Sequence, residues 1–193
     1  MKIVLFGDSI RLAGYGKKVE EELKKEGHEV FQPNDNCRFI KHTLRMIFDL
    51  REEIKDADII HFNAGIWDSC ALFHDGEYYS NDFEPFSSLE EYEINLRRVV
   101  KLFKEITPHV IFATTTPVNP RQTDNNNERI DEFNKVAVKV MKELDASIND
   151  LGSLIKEDID NNICSDFVHL TDKGAELAAV QVLESIHKEI EKI

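Results

Sequence analysis

Short apolar runs alternate along this chain with longer segments in which apolar residues recur every three or four positions. A parallel strand buried on both faces reads as a continuous hydrophobic run, and a helix laid over it reads as a stripe. The alternation therefore predicts an α/β sheet covered by helices. Lys2 to Phe6 reads as the first strand, stopping at Gly7. Tyr15 to Glu26 reads as a helix with Val19 and Leu23 on one face, and Gly27 stops it before a second strand, His28 to Phe31. Thr43 to Ile54 is a second helix and Ala57 to Phe62 a third strand.

In the second half, Ser88-x-x-Glu91 forms a capping box ahead of the stripe Leu89, Tyr92, Leu96, Val99, Phe103 and Ile106. Pro108 ends that helix, and His109 to Thr114 is a fourth strand. Glu128 to Leu144 is helical, Ala146 to Asn149 a short fifth strand, and Thr171 caps a last helix striped by Ala179, Leu183, Ile186 and Ile190. With right-handed crossovers, five such strands order as 2-1-3-4-5 with helices on both faces. Neither a repeat nor a linker interrupts the pattern, so residues 1–193 read as one domain. Asp68 to Ser87 is too long for a simple connection and carries Phe73, Tyr78, Tyr79, Phe83 and Phe86. It reads as an insertion loop serving the carboxyl edge of the sheet, as does the polar stretch Thr115 to Asn127.

Composition narrows the partners. The 193 residues are 41% hydrophobic and 32% charged, ordinary for a globular chain, with a formal charge of −13. That balance argues against nucleic acid or an anionic membrane as partner and leaves a small neutral substrate open. Cys37, Cys70 and Cys164 stand far apart with no C-x-x-C spacing, which reads as free thiols in a reducing compartment. No run approaches the roughly 18 apolar residues of a membrane span, and the N-terminal residues lack a signal-peptide core. The expected location is cytoplasmic. Self-association is left open.

Chemistry is suggested at two places. Gly7-Asp8-Ser9 follows the first strand directly, where a serine is presented at the sheet's carboxyl edge and turn N–H groups can stabilise an oxyanion. Asp166-Phe167-Val168-His169 precedes the last helix. An Asp three residues before a His on a tight turn can meet the imidazole Nδ1 and leave Nε2 to take a serine proton. Each has a plain reading alone, a capping Ser and a surface His beside an Asp. Their pairing across the sheet is what suggests a Ser-His-Asp triad.

With these residues the sequence resembles the SGNH/GDSL hydrolases, esterases and acylhydrolases of flavodoxin-like three-layer fold. Gly7, Asp8 and Ser9 match the family's first block, and Asp166 and His169 its last, with Leu170-Thr171 following suit. The resemblance implies Ser9 as nucleophile, His169 as base and Asp166 as its support. It also implies an oxyanion hole from the Ser9 N–H, a second-block glycine, best matched by Gly14 with Gly16 as the alternative, and a third-block asparagine. The third block departs from the family's G-x-N-D: in Asn63-Ala64-Gly65-Ile66-Trp67-Asp68, Gly65 and Asp68 align but Trp67 holds the asparagine position. Asn63 is taken as the replacement donor. The Trp67 indole, a lost donor and a purely structural Asn63 at a strand end are the alternatives.

The expected activity is hydrolysis of small acyl esters, acetyl foremost, on a polar and carbohydrate-like alcohol. A non-catalytic binding module on the same fold, and a lysophospholipase or thioesterase, are the rivals. Trp67 and Thr116 are the expected substrate contacts, with Thr114 and Thr115 on the site floor, and only location speaks for Arg11 and Asn119. Asp8 reads as a local brace. The histidines lack metal-ligand spacing and no nucleotide-binding glycine motif occurs, so neither metal nor cofactor is expected.

Overall fold

The computed structural model describes residues 1–71 and 84–193. Phe73, Tyr78, Tyr79 and Phe83 of the expected insertion lie outside the described residues. Five parallel strands, β1 (Lys2–Phe6), β2 (Glu29–Phe31), β3 (Ile59–Asn63), β4 (Val110–Ala113) and β5 (Ser147–Asn149), form a sheet of order β2-β1-β3-β4-β5. This is the expected order.

Side chains alternate across a strand, and here the alternation separates two cores. Val4, Phe6, Ile60, Phe62, Val110 and Phe112 face one layer. That layer is built from α2 (Ile40–Asp49), α3 (Arg51–Ile54), α5 (Leu89–Ile106) and α6 (Asn127–Glu143). Ile3, Leu5, Ile59, Ile111 and Ala113 face the opposite layer, made by α1 (Gly16–Lys25), α7 (Leu151–Lys156) and α9 (Asp172–Ile190). Both faces of β1 and β3 are sealed, which is why β1 is apolar without a break from Ile3 to Phe6, while β3 interrupts its apolar run with a buried His61. The short helices α4 (Ile66–Ser69) and α8 (Ile159–Asn162) lie in connections. Among the described residues no helix is long and apolar enough to cross a membrane.

Caps fix the long helices where the sequence marked them. Ser88 and Glu91 close a reciprocal capping box on α5, and Thr171 accepts from the Gly174 N–H at the start of α9. Three segments differ from the sequence reading. Helical winding begins at Ile10 rather than Tyr15, because Ile10–Tyr15 forms a π-helical turn whose wider winding buries Ile10, Arg11 and Tyr15 together. The expected helix Thr43 to Ile54 divides at Leu50, whose backbone (φ −107, ψ 18) leaves the helical region. Helices α7 and α8 were not foreseen, since six and four residues are too few to display a period.

The functional consequence is at the carboxyl edge. Ser9 follows β1, the loop 32–39 follows β2, Trp67 follows β3, the segment 114–126 follows β4, and Asp166–His169 leads into α9. All five connections converge at the end where open α/β sheets bind ligands.

Candidate active site

Gly7 makes the turn that presents Ser9. A Cβ on Gly7 would collide with Asn63 Oδ1 and crowd the Arg11 side chain, so a glycine is needed for the two strands' ends to approach. Ser9 then enters the π-helical turn as its N-terminal flanking residue. Its side chain makes no hydrogen bond among the described residues, and neither does its backbone N–H. Asp8 points the other way. Its carboxylate accepts the Ile10 N–H at 2.9 Å. Burial raises its pKa to about 6, against the lowering pull of that N–H, the Asn63 amide, Arg11 and His169.

The Asp166–His169 pair is assembled by a short turn. His169 Nδ1 lies 2.8 Å from Asp166 Oδ2, while Asp166 Oδ1 accepts the N–H groups of Val168 and His169, both at 3.0 Å. Partial burial would raise the Asp166 pKa, but the two N–H donors and the imidazole outweigh it and hold the carboxyl below its usual range. A carboxylate on Nδ1 sets the tautomer that leaves Nε2 open as an acceptor. Phe167 gives the turn its shape by adopting a left-handed backbone (φ 72). Its carbonyl accepts the Asn119 N–H at 2.9 Å, and the Arg121 guanidinium lies 5.0 Å over its ring.

Ser9, Asp166 and His169 line one cavity of about 410 Å³, together with Asn36, Ile66, Trp67, Cys70, Val118, Gln122, Asp124, Asn125 and Val168. Trp67 is 42% exposed and forms part of this wall. Cys70 is also on this wall, where burial, then the Asp124 carboxylate, pushes its thiol up to about 12 and disfavours the thiolate. A larger cavity of about 500 Å³ opens between α6 and α7, and its lining contains no histidine.

Other sequence candidates are placed elsewhere. Asn63 is buried, its Oδ1 accepts the Tyr15 hydroxyl at 2.8 Å, and its amide stands against the Asp8 carboxyl. Asn63 lies beneath the Ser9 turn and does not line the cavity where an oxyanion donor was expected. Gly14 lies on the π-helical turn against the Leu170 side chain and outside the Ser9 cavity. Thr116 is buried, its hydroxyl unpartnered among the described residues, and it does not line the cavity. Thr114 and Thr115 are structural: Thr114 Oγ1 donates to Asp150 and accepts the Gly152 N–H, and Thr115 Oγ1 donates to the Ala64 carbonyl.

Arg11 is wholly buried and Asn119 nearly so. Asn119 Oδ1 accepts from the Arg121 backbone and guanidinium. Asp68, the aligned third-block acid, braces the site instead of joining it. Its carboxylate accepts the Ile40 N–H at 2.9 Å, at the start of α2, and the Ser87 hydroxyl at 2.8 Å. Gly65 ahead of it has φ 142, where any Cβ would run into Thr115 Oγ1.

Sequence reasoning missed Asn36, Gln122, Asp124 and Asn125. The Asn-rich character of 119–127 was a signal for the last three; nothing local distinguished Asn36.

The sheet order and a cavity at its carboxyl edge define a flavodoxin-like three-layer α/β sandwich. No protein-family model matches the chain, and no curated protein sequence matches it. Solved structures do. A lipase/acylhydrolase from Enterococcus faecalis superimposes over 96% of this chain and 94% of its own, with 22% identity and a TM-score of 0.77. An acetylxylan esterase from Geobacillus stearothermophilus covers 96% and 93%, with 19% identity and a TM-score of 0.73. An alpha/beta hydrolase enzyme from the metagenome of Lake Arreo, Spain, covers 95% and 94%, at 15% identity and a TM-score of 0.72. At these identities what is shared is the fold.

Proposed function

We propose that this chain is a serine esterase of the SGNH/GDSL kind, hydrolysing small acyl esters through Ser9, His169 and Asp166. The observation that carries the reading is the meeting of an unbonded Ser9 hydroxyl and a carboxylate-clamped His169 in one cavity. Ser9 Oγ attacks the ester carbonyl while His169 Nε2 takes its proton, and Asp166 stabilises the imidazolium. The protonated His169 then releases the alcohol, and water repeats the cycle to free the acid. Ser9, His169 and Asp166 supply the nucleophile, the base and its support, and water is the second substrate.

An acetyl group on a polar, sugar-like alcohol is the favoured substrate. The cavity wall combines an exposed indole, Trp67, with the polar side chains Gln122 and Asp124, an arrangement suited to an apolar sugar face with hydroxyls at its edge. Acetylxylan esterases use the same fold. A fluorophosphonate probe should label the protein at Ser9, and Ser9→Ala should abolish both labelling and turnover while leaving the thermal midpoint within a degree or two. A nitrophenyl ester panel should rank acetyl above butyryl and longer chains. An unlabelled protein that turns over no ester would end this reading in favour of a binding module.

A further inference from the structure

Asn36 stands on the loop between β2 and α2 and lines the cavity that Ser9 and His169 share. One end of its amide is spoken for: Oδ1 accepts the Arg38 N–H at 2.7 Å. An N–H can be met only by the oxygen end, so this bond decides which end of the amide remains. Both Nδ2 hydrogens are left as donors, and no described residue accepts from them. Arg38 reaches its position with φ 50, a left-handed conformation that non-glycine residues seldom adopt.

The loop is fastened to the nucleophile's turn. The buried Arg11 guanidinium donates to the carbonyls of Pro33 at 2.9 Å, Asp35 at 2.8 Å and Gly7 at 3.3 Å. The Cys37 N–H donates to the Gly7 carbonyl at 3.0 Å, and the Gly7 N–H reaches Cys37 Sγ at 3.3 Å. Residues on both sides of Asn36 are thus tied to Gly7, two positions before Ser9. Fixed donors of this kind are what stabilise developing negative charge, because they need no reorganisation during reaction. The competing amides stand apart: Asn63 is buried under the turn and off the cavity lining, and Asn125 Nδ2 already donates to Ile66 O and Ser69 Oγ.

We infer that Asn36 supplies the side-chain N–H of the oxyanion hole, beside the backbone N–H of Ser9. The inference rests on the esterase reading above. As the Ser9 Oγ–carbon bond forms and its proton passes to His169, the carbonyl π pair moves onto oxygen, and Asn36 Nδ2–H binds that oxygen. Collapse returns the pair, breaks the carbon–alkoxy bond and sends the proton out with the alcohol.

The test compares wild type, Asn36→Ala and Asn36→Asp on nitrophenyl acetate, with thermal midpoints taken alongside. Asn36→Ala should lower kcat about a hundredfold with KM within about twofold, because the lost bond belongs to the transition state. Asn36→Asp keeps the acceptor for the Arg38 N–H but puts an oxygen where the donor was, so its kcat should fall at least as far. A merely structural Asn36 would leave the aspartate variant close to wild type, and that result would overturn the inference. So would an Asn36→Ala variant whose KM rises while kcat holds. Fluorophosphonate labelling of wild type separates the two levels: labelled, active wild type with equally active variants defeats only the Asn36 assignment. Unlabelled, inactive wild type defeats the esterase reading and this inference with it.

Discussion

Three buried ionisable side chains near the sheet's carboxyl half are held far from their ordinary protonation behaviour. Burial lifts Asp8 to about 6 and Asp68 to about 6, in each case against the hydrogen bonds they accept. Burial also drops His61 to about 3, so a buried imidazole on β3 stays neutral through the physiological range. For Asp8 the folded protein binds its proton more tightly than the unfolded chain does. Its contribution to stability is therefore present in acid and lost as pH rises from near 4 through about 6. Asp8→Asn lacks that proton equilibrium. Urea unfolding of both proteins at pH 4 and pH 7 should show the variant gaining roughly 2 kcal/mol on wild type across the interval. A difference that does not change with pH would mean that Asp8 is not raised. The Gly7-Asp8-Ser9 turn thus carries a buried carboxyl for structural reasons. Asp8 ties the Ile10 N–H and the Asn63 amide beneath Ser9, the local brace that the sequence reading expected.

At the scale of elements, the long helices are specified by their ends and stripes. The α5 box is reciprocal: the Ser88 hydroxyl accepts the Glu91 N–H at 3.1 Å, and the Glu91 carboxylate accepts the Ser88 N–H at 3.0 Å. Ser88→Ala should cost about 1 kcal/mol, read as a lower thermal midpoint, with esterase turnover unchanged because Ser88 lies outside the Ser9 cavity. A fully retained midpoint would show that the cap contributes little here. The stripe of α9 is wider in the structure than in the pattern. Ala175, Ala178 and Val182 are buried alongside Ala179 and Ile186, whereas Leu183 and Ile190 are only partly covered. Small residues drew less weight in the pattern, yet they are what lets α9 lie close to the sheet. The loop after β2 gave no pattern at all, because a loop positioned by Arg11 has no period of its own to display.

At the scale of the whole molecule, the two cores share the central sheet, so damage on one face should be felt globally. Phe103 on α5 packs its ring 5.4 Å from that of Phe6 and 5.2 Å from that of Phe62, binding the helix to both central strands. Phe103→Ala should cost about 3–5 kcal/mol in urea unfolding, with the denaturant slope unchanged and a single transition. Two transitions would show that the layers unfold separately. The sequence by itself determined the strands, their order, and Ser9 and the Asp166–His169 pair at the sheet's edge. Each of these is written in local periodicity or in spacings of a few residues, and right-handed crossovers leave little freedom beyond them. Only the tertiary structure decided which amides are free. Asn63 is claimed by Tyr15, 48 positions away in sequence, and the Asn36 loop is held by an arginine 22 to 24 positions before its acceptors. A side chain's availability depends on which partners fold onto it, and contacts between distant segments leave no local pattern to read.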